Sequence, residues 1–161
     1  MIARSNCQDK ARNMTASPVN DPLGIALFSE ITMADQLARA QLARHLPGGM
    51  EVSHFTVLNH FARLGGEKTP AQLARIFHVT KAAMTNTLGK LSEAGYVHIR
   101  PDWDDARKKR VSLSPAGQAA RDAAAEAIAP VFENVVRELG AERIKTILPI
   151  LRELRAALDK P

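Results

Sequence analysis

Four consecutive cations, Arg107-Lys108-Lys109-Arg110, close a short polar stretch that also holds Asp102, Trp103, Asp104 and Asp105. Earlier in the chain, Lys81, Ala82, Thr85 and Asn86 are spaced so that a helix would carry them on one side. Side chains of these types do no covalent chemistry, but they suit the recognition of a duplex. Arg and Lys neutralise phosphates, an Asn amide pairs with a base edge, and small Ala and Thr residues let a helix backbone come close. Thr80, Lys90 and Arg100 belong to the same stretch and join the candidate contacts. So do Thr69 and Gln72, at the start of the segment just before it.

The charge distribution points the same way. Between Arg63 and Arg110 stand ten Lys or Arg and five Asp or Glu, and this excess equals the net charge of +5 for the whole 161-residue chain. Elsewhere the signs balance. A basic stripe gathered inside a globular sequence suits an anionic partner, and double-stranded DNA is the one expected. Other chemistries find little support. Cys7 is the single cysteine, which excludes an intrachain disulfide. It also has no resolving partner for redox sensing. His45, His54 and His60 do not share a helical face, so neither a metal nor another cofactor is expected. His78 and His98 flank the basic stretch, where they either meet phosphate or stay exposed. No Ser–His–acid arrangement stands out, so no catalysis is expected. No apolar run reaches the ~18 residues of a membrane span, and the N-terminus lacks a secretory apolar run. A cytoplasmic protein without membrane contact is the expectation.

The elements that hold these side chains follow from periodicity. Residues 1–21 are polar and aperiodic and read as a flexible tail; residues 22–161 read as one unit. Leu27, Phe28, Ile31, Ala34, Ala38 and Leu42 predict a helix from Pro22, capped by Asp21 and ended by Pro47-Gly48-Gly49. Ser53 is the expected cap of a second helix burying Phe55, Leu58, Phe61 and Ala62, stopped by Gly65-Gly66. Thr69-Pro70-Ala71-Gln72 has the form of a capping box opening a short third helix. His78-Val79 breaks that helix. Thr80 caps a fourth, Lys81 to Ala94, which buries Met84, Leu88 and Leu91, with Gly95 just past its end. Tyr96 to Arg100 and Arg110 to Leu113 alternate like half-buried strands around a charged loop, Pro101 to Lys109. Ser114-Pro115 opens a long helix with the stripe Ile128, Val131, Phe132, Val135 and Leu139. After Gly140 a last helix carries Ile144, Ile147, Leu148, Leu151, Leu154 and Leu158, a stripe that calls for a partner surface. Pro130 and Pro149 should bend or split these two helices. The fold class is mainly α with a small β wing: a helix-turn-helix and hairpin over about 53–114, between long helices at about 22–47 and 115–159.

This element order resembles the multiple-antibiotic-resistance regulator (MarR) family over roughly residues 22 to 158. The residues that carry the resemblance are Gly95-Tyr96-Val97, Arg100, Asp105-Ala106-Arg107, Arg110-Val111 and Leu113-Ser114-Pro115-Ala116-Gly117. They match the family's acidic–x–Arg wing and its strand ending in Leu-Thr/Ser-x-x-Gly. Ala106, where many members have a second Arg, and Trp103 depart from the pattern. The resemblance implies a bacterial homodimeric regulator, a ligand-responsive repressor on a pseudo-palindromic operator. The first and last two helices would form the dimer interface, and Arg107 would enter the minor groove. It further implies a pocket for a small aromatic or phenolic effector, with Phe28, His54 and Leu58 as candidate lining. The alternative is a winged-helix protein-interaction module without specific DNA binding. Such a module would have no need to gather the positive excess into one window.

Overall fold

The computed structural model describes residues 22–105 and 107–160; the tail with Cys7 and the expected cap Asp21 lie outside them. The elements are α1 (Pro22–His45), a 3-10 turn (Pro47–Gly49), α2 (Val52–Leu64), α3 (Pro70–Ile76), α4 (Lys81–Glu93), β1 (Val97–Pro101), β2 (Lys109–Leu113), α5 (Pro115–Leu139) and α6 (Ala141–Leu158). The chain forms two compact units, one ending at Ala38 and one beginning at Arg39. In the first, the described helix exposes Leu23, Ile25, Leu27, Phe28, Met33 and Leu37.

The second unit has its own core. Val57, Leu58 and Phe61 of α2 meet Leu73 and Ala74 of α3, Met84, Leu88 and Leu91 of α4, Val97 of β1 and Val111 of β2. α2 and α4 contribute at three- and four-residue steps, one apolar stripe each, and α3 adds the adjacent Leu73 and Ala74. Full burial of such side chains stabilises by roughly 1.5–3 kcal/mol each, before the entropy of ordering them. A smaller cluster joins Leu46 to Ala124 and Ile128 of α5.

Local chemistry sets the element boundaries. At α3 the Thr69 amide donates to Gln72 Oε1 at 2.8 Å, and the Gln72 amide donates to Thr69 Oγ1 at 3.2 Å. This is the reciprocal cap expected from the sequence. α2 begins two residues earlier than predicted, with Glu51 rather than Ser53 at the cap position. There the Glu51 amide donates to His54 Nδ1 at 3.2 Å. α3 and α4 end alike. His78 N–H donates to the Arg75 carbonyl and Val79 N–H to that of Ala74; Gly95 N–H donates to Ser92 and Tyr96 N–H to Leu91. Both are Schellman turns, with His78 (φ 51°) and Gly95 (φ 72°) in the left-handed conformation. Tyr96 is thereby committed to the turn, and β1 starts at Val97 rather than Tyr96.

The two strands are antiparallel, pairing Val97 with Leu113 and Pro101 with Lys109. Lys68 adds an isolated bridge to Val111 on the outer side. The strands run farther into the charged segment than the alternation suggested, leaving a loop of residues 102–108. Ile99, expected to share the inner face of Val97, is exposed. Pro130 and Pro149 lie inside α5 and α6, which continue through them. The expected splitting does not occur, because a missing donor removes one rung while the neighbouring rungs persist.

Candidate nucleic-acid interface

α3, the start of α4 and the returning limb of the wing enclose an open cleft of about 580 Å³. Thr69, Pro70, Ala71, Gln72, Arg75, Lys81 and the four cations Arg107 to Arg110 line it. Arg75 was not among the residues singled out from the sequence. Its position one turn after Gln72 was the available signal. On α4, Lys81, Ala82, Thr85 and Asn86 are all exposed, opposite the buried Met84, Leu88 and Leu91. The hydroxyls here serve the helices first. Thr80 Oγ1 accepts the Ala83 amide at 3.1 Å, and Thr85 Oγ1 donates to the Lys81 carbonyl at 2.8 Å.

The wing's cations divide into held and available ones. Arg110 Nε donates to Asp102 Oδ2 at 2.6 Å. Asp102 is nearly buried, and its other oxygen accepts the Asp104 amide at 3.1 Å. The Asp104 amide, and then Arg110, hold the Asp102 carboxyl below the usual carboxylate range. Arg100 is fixed on the far limb, donating to both Glu67 oxygens at 3.0 and 2.6 Å. Asp105 accepts the Arg107 backbone amide at 3.1 Å and pairs with Lys108 Nζ at 3.2 Å. The carboxylate therefore shapes the turn under Arg107 and leaves that guanidinium free. Among the described residues, Arg75, Lys81, Arg107 and Lys109 have no carboxylate partner. All four border the cleft.

Other predicted residues fall elsewhere. Lys90 is ion-paired with Glu51 at 2.6 Å and lines a separate cavity of about 180 Å³ with His54, Gly48, Met50 and Tyr96. The nine-residue step from Lys81 to Lys90 carries it to the other end of α4, away from the cleft. Leu58, a candidate pocket residue, is sealed in the core. Phe28 is exposed in the first unit. His78 Nε2 lies 3.4 Å from Asp159 just beyond α6, and His98 is exposed. Ile147, Leu148, Leu151 and Leu158 of the α6 stripe are exposed, while Ile144 and Leu154 are half-buried.

The anchor of the wing is Ser114-Pro115-Ala116-Gly117. Ser114 Oγ donates to the Gly95 carbonyl at 2.6 Å and accepts the Gly117 amide at 2.9 Å. A Cβ on Gly117 would stand 2.0 Å from the Tyr96 carbonyl oxygen. Only glycine lets α5 pass so close to the start of β1.

A two-helix unit with a tight turn, followed by a hairpin and flanked by long helices, defines a winged helix-turn-helix protein. Residues 48–108 match the family model described as MarR family. With the fold likenesses below, this match makes the segment that holds the helix-turn-helix and the wing similar to the MarR family of transcriptional regulators. The chain is 27 % identical over 96 residues to YdgG, an uncharacterized HTH-type transcriptional regulator of Bacillus subtilis (strain 168). That match covers 58 % of this chain and 63 % of the relative's length. Among solved structures it resembles a mutant MarR from E. coli complexed with operator DNA, with TM-score 0.71, 25 % identity, and 81 % and 94 % of the two chains covered. It also shares the fold of the transcriptional regulator BldR from Sulfolobus solfataricus, with TM-score 0.75, 19 % identity, and 83 % and 95 % covered.

Proposed function

We propose that this chain is a sequence-specific, double-stranded-DNA-binding regulator that acts in the cytoplasm as a homodimeric, ligand-responsive repressor on a pseudo-palindromic operator. It works by binding rather than catalysis. The observation that carries this reading is the cleft whose four cations, Arg75, Lys81, Arg107 and Lys109, face no carboxylate among the described residues. α4 enters the major groove, with Ala82 allowing close approach and Thr85 and Asn86 at base edges. Arg107 reaches the minor groove, and Lys108 and Lys109 meet phosphates. Thr69, Gln72 and Thr80 orient the helix ends there, while Arg100 and Arg110 stiffen the wing. The exposed stripes on α5 and α6 supply the dimer contact. A small aromatic or phenolic effector would modulate DNA affinity. The relative in complex with operator DNA supports the reading.

The test is selection of duplexes from a random pool, then affinity against salt. Arg107→Ala should weaken the selected duplex most and remove any preference for A·T-rich flanks, where a narrow groove attracts Arg. Lys109→Ala should weaken all sequences alike and lower the salt slope by about one. An Arg107→Ala chain with unchanged affinity and slope would favour a winged-helix module that binds protein instead.

A further inference from the structure

The charged wing carries one large apolar side chain at its tip. Trp103 is the only tryptophan of the chain and is 86 % exposed. Its ring is nonetheless held. The Arg100 guanidinium lies 5.0 Å from the ring centroid, and Arg100 is itself fixed on both oxygens of Glu67. A cation stacked on an indole restrains it while leaving most of its surface to solvent. The wing stem supplies this one-sided support.

The position is as telling as the exposure. The Asp102 amide donates to the Lys108 carbonyl at 2.9 Å, which closes the hairpin. Trp103 and Arg107 thus begin and end the short tip beyond that bond. A minor groove is only ~6 Å wide between its two backbones. A tip that inserts Arg107 must lay its remaining residues on the groove's rims. An indole is suited to a rim, because its face packs on deoxyribose and its N–H donates to a phosphate oxygen.

We propose that Trp103 is a direct DNA contact of the wing, its ring against the sugar edge of the minor groove entered by Arg107 and its N–H on a phosphate. This rests on the DNA-binding reading above and adds a contact that the charge pattern does not reveal. An uncharged contact displaces no counterion, so it adds affinity without salt dependence, unlike Lys109. It reads no base, so it strengthens specific and random duplexes equally.

The experiment uses the full chain and a fluorescein-labelled mixed-sequence duplex of about three helical turns. Duplex anisotropy reports binding, and Trp103, as the single tryptophan, reports its own surroundings. On binding, its emission should change and its quenching by acrylamide should fall. Trp103→Ala should weaken binding roughly five- to tenfold at every salt concentration, with a slope equal to wild type and an unchanged melting temperature. Trp103→Phe should restore most of the affinity. Anisotropy that reports binding while emission and acrylamide quenching stay unchanged would overturn the proposal. So would wild-type affinity in Trp103→Ala, or a reduced salt slope, which would mean that the ring only positions the neighbouring cations. Absence of any anisotropy change at low salt would instead overturn the DNA-binding reading beneath it.

Discussion

At the scale of single residues, the wing is built on a few side chains whose partners leave them little freedom. Gly117 is the sharpest case. Its absent Cβ makes room for the Tyr96 carbonyl oxygen, which would otherwise stand at 2.0 Å, and for Leu113 Cδ1 at 2.9 Å. A backbone carbonyl cannot swing aside as a side-chain tip can. Gly117→Ala should therefore destabilise the chain by roughly 1–3 kcal/mol, read as a lower midpoint in urea unfolding. Ala116→Gly, one position away and exposed, should cost much less. Equal midpoints for the two variants would mean that α5 shifts to accept the methyl.

At the scale of elements, α2 carries two histidines that fold without their charge. His54 and His60 each have Nε2 buried without a hydrogen-bond partner among the described residues. Burial is the main cause that lowers both pKa values. Lys90 reinforces it at His54, where Glu51 opposes it, and Lys68 reinforces it at His60. His60 also lies edge-on to Phe61 and Phe77, with ring centroids 5.9 and 5.4 Å away. In the unfolded chain both rings take a proton near pH 6.5, whereas in the folded chain they do so only at lower pH. The unfolded state therefore binds more protons between those values, and stability falls as pH falls. This contribution is complete above about pH 6.5 and is lost as pH drops through the folded pKa values. Thermal melting from pH 7.5 to 5 should show the decline, and His60→Leu should flatten it. A slope unchanged by His60→Leu would place the titration elsewhere.

For the whole molecule, the exposed apolar residues need a covering surface. Phe132, Val135 and Leu139 of α5 and Ile147, Leu148 and Leu151 of α6 are each more than a third exposed. A second copy would cover such stripes in an interface of the usual ~1,200–2,000 Å². Sedimentation at micromolar concentration should give about twice 17.5 kDa. Leu151→Glu, which sets a charge in the middle of the α6 stripe, should shift it to a monomer and weaken binding to a palindromic duplex far more than to a half-site. A wild-type monomer would remove the two-fold operator from the functional reading.

What the sequence determined by itself was whatever short-range chemistry fixes. Thr69-Pro70-Ala71-Gln72, Ser114-Pro115 and Gly95 each specify a helix end through atoms only a few positions apart, and all three act there as read. The stripes of α2 and α4 were legible because one period decides which face is buried. The cationic segment was legible because charge is additive along a chain. The tertiary structure decided the partners. Nothing local tells Arg100 to meet Glu67, Lys90 to meet Glu51 or Arg110 to meet a nearly buried Asp102. Ion pairs form where the fold brings two side chains within reach, so a run of cations cannot be sorted into held and free ones before the fold is known. The same holds for Leu58, whose type fits a pocket wall or a core equally well, and which the packing of α2 against α3 and α4 sealed inside.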